Sequence, residues 1–190
     1  MGRSRAFETA QVVRAARDVF WREGFDDASM PALRAATGLS TSSLYHAFGS
    51  KRGLYDLAVA NYIEEIVRPR FAMLQQDPPS TQAVVEYLDG LRDALTDPAS
   101  RVHANGCLLV RAAGSRLSAD PQVAQRIADY RAELREALRA GLLARFPDRA
   151  RAQTERDAST LTGLVIAAFT LARTDRAGSL DAIDTARSMV

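Results

Sequence analysis

The 190-residue chain has one cysteine, two histidines, one tryptophan and, among its 25 basic residues, a single lysine. Each scarcity excludes something. Cys107 alone cannot close an intrachain disulfide, and it leaves no zinc-ligand spacing. With only His46 and His103, and no acidic or histidine cluster at ligand spacing, no metal site is expected. A Gly-rich phosphate loop and a nucleophile elbow are missing too, so no catalytic residues and no cofactors are assigned, and an enzyme is not expected. The longest uncharged apolar stretch, residues 161–172, is 12 residues long, whereas crossing a bilayer takes about 20. The basic first five residues are followed by no apolar run. Neither a signal peptide nor a membrane partner is expected, and the protein is read as cytoplasmic. Strand-like alternation, internal repeats and low-complexity tracts are also lacking.

What is present is helical. Hydrophobic residues at 47% and charged residues at 25% suit a globular fold. The informative stretch is residues 28–55, which contains no Asp or Glu although the chain has 23 of them. It carries Arg34, His46, Lys51 and Arg52. Ser29 is placed to cap a helix in which Met30, Leu33 and Ala36 recur at helical spacing, with Pro31 in its first turn. Gly38 supplies a left-handed stop. Ser40 caps a second helix that turns Leu44 and Phe48 inward. Two short helices around a glycine make a helix-turn-helix. The outward face then holds Thr41, Ser42, Tyr45 and His46, hydrogen-bonding side chains without negative charge, as base edges and phosphates require. Such hydroxyls also gather at helix starts simply as caps. Ser50 caps the next helix and puts Lys51 and Arg52 in its first turn, where cations are disfavoured by roughly 0.3–1 kcal/mol each. A phosphate on that helix terminus would reverse the sign.

Outside this stretch, the spacing predicts a supporting first helix over residues 7–23 and an arm at residues 1–6 carrying Arg3 and Arg5. A continuous helix runs from Ser50 through Tyr55, Val59, Tyr62 and Ile66 to Pro69, with a short continuation over 71–76. Further helices are expected at 81–96, 107–117, 121–146, 148–173 and 179–190, with 99–106 as a loop. The fold class is therefore all-α, with about nine helices: a three-helix head, residues 1–52, joined by a continuous helix to a larger body, residues 53–190. The head holds 8 basic against 6 acidic residues through position 60, and the remainder holds 17 against 17. Residues 161–172 are apolar all round, which demands burial on every side. The small residues Gly163, Ala167, Ala168 and Ala172 would admit another helix. A four-helix bundle built from the helices near 121–146 and 148–173 of two chains meets both demands, so a homodimer is expected.

The run S-M-x-x-L-x-x-A-T-G-L-S-x-x-S-L-Y-x-x-F-G-S-K-x-x-L-Y, preceded by AARDVFWREGFDDAS, resembles the DNA-binding signature of the TetR family of bacterial transcriptional regulators. The likeness covers roughly residues 6–60. It implies a double-stranded DNA operator as partner, with Ser29, Arg34, Ser40, Thr41, Ser42, Tyr45, His46 and Lys51 at the DNA, Lys51 holding a phosphate. Relatives with this pattern often carry Arg-Pro where this chain has Thr41-Ser42, a departure that bears on which operator is read.

The same resemblance implies a repressor whose body binds a small-molecule effector and shifts the fourth helix. Candidate lining residues are Tyr62, Ile66, Met73, Tyr87, His103, Cys107, Arg111 and Phe169, although each taken singly reads more readily as ordinary core or surface. Cys107 is expected at a helix N-terminus with His103 and Arg111 one turn away on either side. That placement opens the alternative of a thiol-based redox or electrophile sensor. A helical ligand-binding protein without a DNA function is the alternative of another class.

Overall fold

A computed structural model describes the backbone of residues 2–190 and the side chains of residues 8–190. The backbone of residues 2–6, expected as an arm, is helical and belongs to the first helix, while the side chains of Arg3 and Arg5 lie outside those described. Among the described residues every regular element is helical, and no helix is long and apolar enough to cross a membrane.

The head forms as its caps dictate. Helix α1 (Gly2–Glu23) is closed by Gly24, whose positive φ of 84° turns the chain. Helix α2 (Met30–Thr37) starts on Ser29, whose hydroxyl accepts from the Ala32 N–H at 3.2 Å, and ends at Gly38 in the left-handed conformation. Helix α3 (Thr41–Phe48) starts on Ser40, which accepts from Ser43 N–H. Leu33 and Leu44 are buried, and Phe20 packs edge-on to Tyr55 with ring centroids 5.1 Å apart.

Helix α4 (Lys51–Tyr62), capped by Ser50, leaves the head and continues through a π-helical turn (Ile63–Val67) into α5 (Arg68–Phe71). The rod does not stop at Pro69. Proline lacks an N–H and crowds the carbonyl four residues back; the wider π turn lies immediately upstream, where such insertions relieve this conflict. The rod ends instead at Phe71, so the continuation expected over 71–76 is absent and residues 72–76 form turns and bends.

The body continues with α6 (Ala83–Thr96), the single-turn α7 (Arg101–Asn105), α8 (Leu108–Ala113), a 3-10 turn (Arg116–Ala119), α9 (Pro121–Arg145), α10 (Arg151–Leu171) and α11 (Arg176–Ser188). With the rod counted once and α7 set aside, the described residues form nine helices. Asp120 caps α9 as expected, accepting from the N–H groups of Gln122 and Val123. Helix α11 starts three residues before the expected position, because Asp175 caps it and accepts from Gly178 N–H at 2.9 Å. Part of the loop expected over 99–106 folds as α7, capped by Ser100. The core is shared by Leu88, Leu91 and Leu95 of α6, Leu134, Leu138 and Leu142 of α9, Leu161, Val165 and Ala168 of α10, and Ile183 and Ala186 of α11, all buried in one cluster. Gly141 lets α9 come close to α6: a Cβ there would lie 2.7 Å from Leu74 and 3.0 Å from Val84.

One chain covers more of residues 161–172 than expected. Leu161, Val165, Ala168, Phe169 and Ala172 are all buried within it, and the Ser179 hydroxyl donates to the Ala168 carbonyl at 2.8 Å. The face left open holds Gly163 and Thr170, flanked by half-buried Ile166 and Ala167. Of the four small residues, Ala168 and Ala172 therefore serve the chain's own packing, Ala168 beside Ser179 of α11 and Ala172 beside Gly106.

Candidate nucleic-acid interface and the clefts of the body

Helix α3 presents its polar residues outward because Leu44 is its inward anchor. Ser42, Tyr45 and His46 are exposed, and Thr41 and Phe48 are half-buried. Tyr45 is 46% exposed, unusual for a large aromatic ring. The Ser40 hydroxyl lies 2.9 Å from both Ser42 Oγ and Ser43 Oγ, so the cap also orients the first turn of α3. Ser29 and Arg34 are exposed on α2 and its cap.

The two cations of the α4 first turn behave differently. Lys51 Nζ sits 4.7 Å above the Phe25 ring and 3.5 Å from the Asp26 carbonyl, held by a cation–π contact while facing no carboxylate in an ion pair. Arg52 turns the other way. It donates to Asp56 at 3.1 Å and to Asp120, the cap of α9, at 2.7 Å. That hydrogen bond from Arg52 is the main reason the Asp120 carboxyl sits at about 2, against its ordinary 3.8. Arg52 therefore already has its anionic partners within the chain, contrary to the sequence argument that both cations await one. The partners of Arg52 lie 4 and 68 positions away, and the more distant one is met only when the body folds back onto α4.

The head is joined to the body by more than the rod. Trp21 Nε1 donates to the Gly106 carbonyl at 3.0 Å, and the indole meets the Tyr62 ring edge-on. Arg111 on α8 donates to the carbonyls of Arg22, at 3.0 Å, and Glu23 at the end of α1. Arg101 on α7 pairs with Asp18. On the rod itself, nearly buried Arg17 donates to Asn61 and Glu65.

The eight candidate effector residues do not converge on one cavity. Cys107, Arg111 and Phe169 line a cleft of about 340 Å³ between α8 and α10. Met73 and Tyr87 line a separate cleft of about 150 Å³ beside Arg70. Tyr62, 3% exposed, is core; burial pushes its phenol well above the ordinary value, as it does for Tyr130. Ile66 is half-buried in the π turn, and His103 Nδ1 lies 2.8 Å from the Leu95 carbonyl beside Arg176; neither lines either cleft. Cys107 sits at the N-terminus of α8 as expected, but it is 2% exposed and its thiol lies 3.9 Å from the Tyr130 hydroxyl. The side chains of His103 and Arg111 are engaged elsewhere, so the expected pair of cations does not flank the thiol. Sequence reasoning missed Trp21, Asp120 as a partner of Arg52, and Arg173 in the larger cleft. Only Trp21, as the single tryptophan, carried a signal.

The sequence profile described as "Bacterial regulatory proteins, tetR family" matches residues 12–58. The uncharacterized HTH-type transcriptional regulator YezE of Bacillus subtilis (strain 168) is 30% identical over 75% of this chain and 72% of its own length. The HTH-type transcriptional repressor BdcR of Escherichia coli (strain K12) is 28% identical over 86% and 80%, respectively. A cysteine mutant of the TetR family transcriptional regulator CifR, solved with 26-bp double-strand operator DNA, superposes with a TM-score of 0.77 at 28% identity, covering 95% of each chain.

Proposed function

The chain belongs to the tetR family of bacterial regulatory proteins, and from that premise we propose a dimeric, effector-responsive transcriptional repressor, not an enzyme, acting on operator DNA in the cytoplasm. Residues 1–52 form the DNA-reading head and residues 53–190 the effector and dimer body. The observation that carries the reading is the outward face of residues 28–55. It displays Ser42, Tyr45, His46 and Arg34 to solvent, with Lys51 half-buried beside them, and has not one carboxylate in the stretch. A surface of hydroxyls and cations on a helix-turn-helix matches the edge of a duplex, where phosphates supply affinity and bases supply choice.

In this reading the N-terminal part of α3 enters the major groove. Thr41, Ser42, Tyr45 and His46 face bases and nearby phosphates. Ser29, Arg34, Ser40 and Lys51 hold the backbone. Two chains pair through the outer faces of α9 and α10, which fits the open strip around Gly163, and their two heads meet half-sites near a multiple of one helical turn apart. Selection of duplexes from a random pool by the purified protein tests this. Enrichment of a palindrome with one protein dimer per site is the expected result. Recovery of no common sequence, with salt-sensitive binding to every duplex alike, would refute it.

A further inference from the structure

The cleft between α8 and α10 is chemically one-sided. Its floor is apolar, with Val110 and Phe169, and its rim holds Asn105, Thr170, Arg111 and Arg173. Among the described residues none of its lining side chains is a carboxylate. Several arginines of the body are paired, Arg92 with Asp184, Arg135 with Glu155, Arg149 with Asp157 and Arg187 with Asp89. Arg173, like Arg116, Arg131 and Arg151, has no ion pair among the described residues. Arg111 meets only the carbonyls of Arg22 and Glu23. Two arginines thus line a cleft with an apolar floor and no carboxylate in its own lining, the guanidinium of Arg111 resting at Gly24 beside a second crevice that Glu23, Asp26 and Asp27 also line. At about 340 Å³ the cleft is at the lower end of the ~300–1,000 Å³ range of small-molecule sites.

Arg111 also links this cleft to the head. The last carbonyls of a helix have no partner within it and carry its partial negative charge. Arg111 supplies donors to two of them on α1. An ionised carboxylate is a stronger acceptor than a carbonyl and takes guanidinium in a two-pronged fit. An anion in the cleft therefore competes with α1 for the same side chain.

Resting on the repressor reading above, we propose that this cleft is the effector site and that its effector is an organic anion: a carboxylate or equivalent group held by Arg111 and Arg173, with an apolar tail over Val110 and Phe169. Its binding draws Arg111 off the end of α1 and loosens the head from the body. This adds a route from effector to head through α8 and α1, alongside the rod.

The chain carries its own reporter, because its one tryptophan, Trp21, precedes the two carbonyls that Arg111 holds. The full-length protein is titrated with 3-phenylpropionate and with octanoate, and in parallel with the neutral 3-phenylpropan-1-ol and octan-1-ol, while Trp21 emission is followed. At least one acid is expected to give a saturable change with Kd below about 1 mM, and its alcohol to bind at least about tenfold more weakly. Arg173→Gln, a change of an exposed side chain outside the hydrogen-bond framework, is expected to raise the acid Kd about tenfold and leave the alcohol unaffected. The proposal is overturned if neither acid saturates by about 10 mM, if acid and alcohol bind alike, or if Arg173→Gln binds the acid as the parent does.

The operator arm is separate. Saturating acid is expected to weaken operator binding about tenfold, and acid binding without any change in operator affinity would overturn the link through Arg111. A protein that binds the acid through Arg173 but selects no operator refutes the repressor reading and leaves the anion site standing.

Discussion

Trp21 and Gly106, 85 positions apart, are joined by a buried hydrogen bond from the indole N–H to the carbonyl at 3.0 Å. The bond ties the last turn of α1 to the bend between α7 and α8. That bend needs glycine: φ is +66°, and a Cβ would lie 2.5 Å from the Phe169 carbonyl. Head and body therefore share one core at this point. Trp21→Phe keeps an aromatic ring but orphans the Gly106 carbonyl, and is expected to cost about 1–3 kcal/mol. Urea unfolding checks it: a lower midpoint at unchanged slope is expected, whereas an unchanged midpoint would show that the bond contributes nothing.

The Arg52–Asp120 contact should make stability depend on acid. Asp120 sits at about 2 when folded, against an ordinary 3.8, chiefly through its hydrogen bond from Arg52. A carboxyl depressed on folding contributes its stability fully above the ordinary value and loses it as pH falls from there toward the folded value. The contribution is present at neutral pH and fades between about pH 4 and pH 2. Asp120→Asn can still cap α9 through its side-chain oxygen but cannot titrate. Its unfolding midpoint should fall less steeply over that interval than the parent's, with Glu65, also held near 2 by Arg14, supplying what remains. Parallel acid slopes for the two proteins would argue against the linkage.

Lys51 and Arg52 should separate in their effects on DNA. Lys51→Ala is expected to weaken binding to every sequence and to reduce the salt slope by about one phosphate contact. Arg52→Ala removes the partner of Asp56 and Asp120 instead. It should lower the unfolding midpoint while leaving the salt slope intact. Thr41→Ala or Ser42→Ala should change which bases are preferred. The measurement is operator affinity against salt for each variant, and a salt slope lowered by Arg52→Ala but not by Lys51→Ala would reverse the assignment.

The open strip on α10 and its buried neighbour give opposite expectations. Nothing lies within 4 Å of a Cβ built at Gly163, so Gly163→Glu fits the single chain and removes a helix glycine that costs about 1 kcal/mol relative to alanine. It should stay folded and become monomeric, because two like charges would face each other across the two-fold interface. Ala168 is fully buried against α11, so Ala168→Glu should unfold the chain. Light scattering with circular dichroism distinguishes the two outcomes. A folded, dimeric Gly163→Glu protein would exclude this strip from the interface.

The head was legible residue by residue because its signals are local. Ser29, Ser40 and Ser50 cap the three helices expected of them, Gly38 ends α2, and Leu33 and Leu44 face inward. Each of these choices is made within four positions of sequence, the range over which a helix start or stop is decided. Asp120-Pro121 announced α9 for the same reason.

The positions that tertiary structure alone decided share the opposite property. Arg52 looked like a phosphate ligand until Asp120, 68 positions away, arrived beside it. The candidate effector residues were chosen for chemistry and approximate place, and the fold divided them between two clefts and the core, because side-chain direction depends on how helices rotate against one another. Ala168 and Gly163, five positions apart on α10, read alike as small residues. Only the docking of α11 buries one and leaves the other on the surface. By itself the sequence determined the helices, their caps and the basic face of the head, all short-range consequences of backbone chemistry. The tertiary structure decided which charges, like Arg52, are neutralised within the chain and which, like Lys51, form no ion pair among the described residues, because neutralisation depends on distances across helices that sequence spacing does not encode.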